Sequence, residues 1–147
     1  ENEPQVRIIS TKKLEIERTV RLTTPAFYKP MPEKNYRGKW NVMGDADELQ
    51  KKVEDWKTNY SVICRTAIDG DRLVVQIRTC AKVLKRFALL FYNADTFKLE
   101  DTVFTNDLLL AVKDGNYYLF AGGDPKYDED AGEYIIDIYR FKDKDKK

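Results

Sequence analysis

The chain contains no histidine. That removes the commonest general base, the commonest metal ligand and the side chain that titrates nearest neutrality. It holds two cysteines, Cys64 and Cys80, too few for a tetrahedral zinc site without histidine. No apolar run approaches the roughly 20 residues that carry a helix across a bilayer. Charge of one sign is not in excess. With 26 Lys and Arg against 25 Asp and Glu, the balance gives no reason to expect nucleic acid or an anionic membrane as partner. The charges fall in mixed-sign runs typical of solvated faces. No nucleophile, base and orienting group stand out together, so the chain reads as a non-enzyme without a cofactor. Asp124, Asp128, Glu129 and Asp130 lie among Gly122, Gly123 and Gly132 and are calcium-type ligands in kind. Their spacing lacks the alternating ladder of an EF-hand, and no metal site is assigned.

The sequence does have length and aromatics. Its 147 residues suit one domain with a real core. Nine Tyr and seven Phe sit mostly inside strand-like runs, which favours sheets and supplies material to line a pocket. No secretory leader is visible and the first residue is Glu1, so the chain reads as a processed secreted form or a trimmed length. Asn59-Tyr60-Ser61 is a glycosylation sequon that matters only in a secreted protein.

Along the chain, residues 5–23 read as two extended segments, with Val6, Ile8, Leu14 and Ile16 alternating with polar residues. Pro25, Pro30 and Pro32 exclude regular structure in the next stretch. It reads as an arm that docks on a partner or packs on its own barrel through Phe27 and Tyr28. A strand from Gly38 to Met43 follows. Residues 47–57 predict a helix, with Leu49, Val53 and Trp56 on one face and Glu48 paired to Lys52. Residues 60–66 and 72–79 predict a hairpin turning at Asp69-Gly70-Asp71. Its core face carries Tyr60, Val62, Cys64, Leu73, Val75 and Ile77. Its wet face carries Arg65, Arg72, Gln76 and Arg78. Further strands are expected at 86–92, 97–104, 107–112, 117–121 and 134–141, separated by turn residues. The expected fold is mainly β: an antiparallel up-and-down barrel of about eight strands, with one short helix after the first barrel strand. Residues 1–36 form an extended N-terminal arm, 37–141 the barrel, and 142–147 a charged tail.

Three features in order resemble the lipocalins, within the calycin superfamily. Gly38-Lys39-Trp40 resembles the Gly-x-Trp of the first lipocalin strand. Cys64-Arg65-Thr66-Ala67 followed by Asp69-Gly70-Asp71 resembles the second and third strands of apolipoprotein-D-like members. Ile138-Tyr139-Arg140 resembles the arginine that ends the last barrel strand. The resemblance implies a short, divergent lipocalin, with Gly38, Trp40 and Arg140 closing the barrel floor. An arginine over a tryptophan ring is worth about 0.5–2 kcal/mol. Fatty-acid-binding proteins also put helix after a first Gly-x-Trp strand, but they need ten strands after that point and a helix pair, for which this chain is too short. A cystatin-like or other open sheet curling around a helix fits the early helix followed by a strand meander.

In a barrel, alternation would point one set of side chains inward. Val62 and Val75 would come from the hairpin, Phe87, Leu89 and Phe91 from the next strand, and Phe97 and Leu99 from the one after. Tyr118 and Phe120, then Tyr134 and Ile136, complete the lining. A barrel of about eight strands can hold one small ligand or fill with side chains, and two functions follow. An open barrel would be a secreted carrier sequestering a small hydrophobic molecule. A filled one would be an interaction module or inhibitor, or a homodimer. It would work through its arm and through exposed Tyr92, Tyr117, Tyr127 and Tyr139. The one intrachain disulfide available is Cys64–Cys80, which needs a bulge or a twisting strand. A free, buried Cys64 with a loop Cys80 is the alternative.

Overall fold

In a computed structural model that describes residues 4–32, 46–124 and 126–140, the strand Arg72–Arg78 (β4) is buried on both faces. Leu73, Val75 and Ile77 enter one apolar cluster, while Val74 enters another and Gln76 is fully buried. The next strand, Phe87–Asn93 (β5), behaves alike: Ala88, Leu90 and Tyr92 face one cluster, Leu89 and Phe91 the other. A strand apolar on both faces needs a layer on each side. Three antiparallel sheets supply those layers.

The central sheet has the order β3-β4-β5-β6, with β3 at Val62–Asp69 and β6 at Leu99–Thr105. One outer layer is the hairpin of β1 (Gln5–Ile9) and β2 (Ile16–Arg21). Val6, Ile8 and Val20 from this hairpin, with Leu22, Phe27 and Tyr28 beyond it, pack on Leu73, Val75, Leu90 and Tyr92. So the N-terminal arm lies on its own sheet. Tyr92 Oη donates to Thr23 O at 2.8 Å, and Phe27 meets Phe104 with ring centroids 4.8 Å apart.

The other outer layer is the sheet β7-β8-β10-β9. Its strands are β7 (Leu108–Lys113), β8 (Asn116–Phe120), β9 (Lys126–Asp128) and β10 (Glu133–Tyr139). Leu109, Tyr117 and Leu119 pack from this sheet onto Val74, Leu89 and Phe91. Asp114 and Gly115 both take positive φ in the turn between β7 and β8, as the tight turn of a twisted hairpin requires. The helix α1 (Ala46–Asn59) turns Leu49, Val53 and Trp56 partly inward. The Arg78 guanidinium lies 4.9 Å from the centre of the Trp56 ring.

Gln76 joins the central sheet to the third. Its Nε2 donates to Asp107 O at 2.8 Å and its Oε1 accepts Leu109 N at 2.9 Å. The expectation that Gln76 lies on a wet face is therefore wrong. The third sheet covers that face, and the buried amide meets both its needs on backbone, at Asp107 just before β7 and at Leu109 within it. Near the same edge, Asp69 Oδ2 accepts Tyr117 Oη at 2.6 Å and its Oδ1 accepts Gly115 N at 3.3 Å.

Among the described residues the strands form these three sheets and no closed barrel is found. β6 and β7 are chain neighbours in different sheets, so the meander breaks there. Tyr92 and Tyr117, expected as exposed anchors, are 0% and 1% exposed. Tyr92 stands in β5, which is covered on both faces, and Tyr117 stands on the face of β8 that is turned to the core. The acidic loop expected at 122–132 contains the short strand β9. Cys64 and Cys80 are free thiols, Cys64 half-buried and Cys80 buried. Cys64 stands at a register shift between Ile63 and Arg65, and burial pushes its thiol pKa up.

Two outcomes follow for stability. Gln76→Leu keeps the volume but orphans Asp107 O and Leu109 N, at about 1–3 kcal/mol for each unsatisfied group. The unfolding free energy measured in urea is expected to fall by about 2–6 kcal/mol for the two groups together, and an unchanged value would contradict the bridging role. Burial of Tyr92 raises its pKa to about 12. Because the folded pKa is the higher one, this stabilisation is full below the unfolded tyrosine value of about 10 and is lost as pH rises through the folded value. Tyr92→Phe should flatten the decline in stability between about pH 10 and 12. Parallel declines in the two proteins would refute the assignment.

Candidate functional site

The third sheet is pinned to the central one near β3 and β7. On the β5–β6 side, the same two layers leave a groove of about 270 Å³. Its apolar lining is Leu89 from β5, Val103 and Phe104 from β6, and Leu119 from β8. Tyr139 of β10 closes one wall, and Lys85, Thr105, Asn106 and Asp107 complete the lining. Leu89 and Leu119 are buried to 0% and 1% exposure, so the floor is the outer margin of the core itself.

The rim is organised by Asp107. Its Oδ2 accepts Tyr139 Oη at 3.0 Å and Thr105 Oγ1 at 3.1 Å, while Oδ1 accepts Gly122 N at 2.8 Å. The backbone N of Asp107 donates to Thr105 Oγ1 at 3.0 Å. The carboxylate thus ties the β6–β7 turn to β10 and to the 3₁₀ turn at Ala121–Gly123. Its hydrogen bond and negative charge hold the Tyr139 proton, so the Tyr139 pKa is raised.

The 3₁₀ turn comes close because of Gly123. Its φ is +82°, and an added Cβ would lie 2.7 Å from Phe87 Cε2 and 2.8 Å from Asn106 O. No side chain fits there. Arg86 braces the same turn: its Nη1 lies 2.8 Å from Asp124 Oδ2 and its guanidinium 5.2 Å from the Phe87 ring centre. Arg86 lowers the Asp124 pKa, chiefly through that hydrogen bond. Both partners are well exposed, so the pair positions the turn and adds little stability.

The lining expected from alternation does not converge on this groove. Leu89 reaches it. Val75, Phe97 and Leu99 belong to the cluster beneath the N-terminal hairpin, and Phe91 to the second cluster. Phe87 is buried beside Gly123. Val62 is half-buried at the start of the edge strand β3. Tyr118, Phe120, Tyr134 and Ile136 stand on the side of the third sheet away from the core, since they pair or alternate opposite Leu119 and Tyr117. Of the expected floor, Gly38 and Trp40 lie outside the described residues. Arg140 is exposed, and its Nε donates to Asn116 Oδ1 at 2.6 Å.

Sequence reasoning missed Lys85, Val103, Asp107, Leu119 and Tyr139 as groove residues. One signal is present: Thr105-Asn106-Asp107 supplies the turn residues between the strands expected at 97–104 and 107–112, and that turn builds the rim. The sequon is engaged within the fold. Asn59 Nδ2 donates to Asp55 Oδ1 at 2.7 Å, and the buried Ser61 accepts Lys29 N through its Oγ at 3.1 Å. Among the described residues no group of three or more His, Cys, Asp or Glu could hold a metal ion, and no helix is long and apolar enough to cross a membrane. No family model, curated protein or solved structure matches the chain.

Asp107→Asn should move the Tyr139 pKa down toward the ordinary tyrosine value of about 10. The check is a titration of the Tyr139 ring by NMR in both proteins. An unmoved Tyr139 would show that Asp107 does not hold it.

Proposed function

We propose that the protein binds a small, largely apolar molecule in the groove between β5–β6 and β8–β10. The observation that carries this reading is an apolar floor of Leu89, Val103 and Leu119 open at the margin of two otherwise filled cores. Concave apolar surface beside a few fixed polar groups is what small-molecule sites share. Binding would come from removing the ligand's apolar body from water, at about 25 cal/mol per Å². The Lys85 ammonium would face a carboxylate or similar polar head. Asp107 has its oxygens occupied by Tyr139, Thr105 and Gly122, so its part is to hold the rim in shape.

The finer form of this reading is a secreted lipocalin-like carrier, with Gly38, Trp40 and Arg140 at a barrel floor. It is supported by the three short sequence features and shares the mechanism of desolvation in a preformed site. The groove differs from a barrel lumen in lying between two sheets, and its lining residues are the ones to test.

Decanoate and decanol are suitable probes. Either ligand at 100 times its dissociation constant should raise unfolding stability by about 2.7 kcal/mol. Val103→Trp, at a half-buried position, should fill the groove and remove both effects. Lys85→Ala should weaken decanoate and spare decanol. If neither probe shifts the unfolding midpoint, or if Val103→Trp binds them unchanged, the groove is not the site.

A further inference from the structure

The third sheet buries one face and leaves the other apolar. Register fixes the two sets. Leu109, Leu119 and Tyr117 face the core. Leu108 pairs with Phe120, Ile136 with Phe120, and Ile138 with Tyr118, all on the opposite face, and alternation adds Tyr134. Tyr134, Ile136 and Ile138 are 60%, 44% and 62% exposed. Phe120 and Tyr134 meet edge to face at 6.4 Å between centroids. Antiparallel sheets with one wet face alternate apolar with polar, and this one does not. Across three neighbouring strands the middle of the face carries no charge.

Charge lies at its two ends and differs in sign. One end holds Lys113, at the β7–β8 turn, and Arg140, which reaches Asn116 beside the same turn; the exposed Asp114 lies in that turn too, so this end carries two cations and one anion and is net basic. The other end holds the β9–β10 turn with Asp128, Glu129 and Asp130, all exposed. Two copies stacked face to face, about a two-fold axis lying between the sheets and across the strands, run their strands in opposite directions. The basic end of each then meets the acidic turn of the other, and the apolar middles coincide. One isologous contact satisfies both features of the face.

We propose that this face is the interface of a homodimer, formed by stacking the third sheets of two copies antiparallel. The occupant is a second copy because the face is complementary to itself: neutral and apolar at its centre, opposite in charge at its ends. Sheets stack at about 10 Å, which removes Ile136 and Ile138 from water. The interface is separate from the groove, which opens on the other side of β10, so either reading can fail alone.

The test is sedimentation of the whole chain from roughly 1 µM to 1 mM, the span in which moderate self-association is read. The expected result is a dimer whose dissociation constant rises with salt, since its end contacts are exposed ion pairs. Ile136→Lys and Ile138→Lys, each at an exposed position, should raise that constant by about 100-fold or more, because each buries an uncompensated charge. Lys113→Glu should weaken the dimer, and Glu129→Lys in the same chain should restore it. A chain monomeric at 1 mM overturns the proposal, as does a dimer indifferent to both lysine substitutions. A dimer that responds to them but is not restored by the charge swap overturns the antiparallel arrangement. Backbone amide spectra of each variant, superposable on the parent away from β10, show that folding is not the cause.

Discussion

The fold depends on one buried amide. Gln76 is fully enclosed, between Val75 and Ile77 in β4. An amide there is costly unless both its ends are met. It meets them on the backbone of the next layer, at Asp107 O and Leu109 N. This is directional, unlike the packing of Leu89, Leu109 and Leu119 around it, so it fixes where β7 lies over β4. From that placement follow the buried Tyr117, the Asp69 contacts on the pinned side and the groove on the other. Asp107 takes part twice. Its carbonyl receives Gln76 and its carboxylate gathers Tyr139, Thr105 and Gly122, so the register between layers and the shape of the groove rim are set by one residue.

Much of the element order was legible in the sequence. The helix follows from Leu49, Val53 and Trp56 at helical spacing, and the β3–β4 hairpin from Asp69-Gly70-Asp71 between alternating runs. Those signals are local. How the strands associate was not legible, because periodicity says which residues share a face and not what covers it. β4 illustrates the difficulty. Leu73, Val74, Val75 and Ile77 are apolar without alternation, which marks a strand covered on both sides. The polar Gln76 within that run suggested a wet face instead. Tyr92 and Tyr117 were misplaced for the same reason: a tyrosine serves a surface or a core with a partner for its hydroxyl equally well. Thr23 O and Asp69 supply those partners from 69 and 48 positions away.

The groove was less legible than the fold. Its residues come from β5, β6, β8, β10 and two loops, and only the association of two sheets assembles them. Fully apolar strand faces drew attention to the centres of the sheets, where the chain is filled. The site lies at a margin, where Val103 is only half-covered and Asp107 holds a turn. The turn residues Thr105-Asn106-Asp107 carried the usable information, since a Thr and an Asp that satisfy each other locally also present fixed polar atoms to what lies beside them.

Every pairing in the central sheet joins strands adjacent in the chain, whereas the N-terminal hairpin packs onto strands much further along. In kinetic terms the two parts differ. The central meander closes through short turns, each at small entropic cost, while docking the hairpin closes the interval from Thr23 to Tyr92, a separation of 69. On a ribosome the order is more consequential still. Val6, Val20 and Leu22 emerge long before the strand they cover, and their apolar surface stays open to other contacts until Tyr92 has been made.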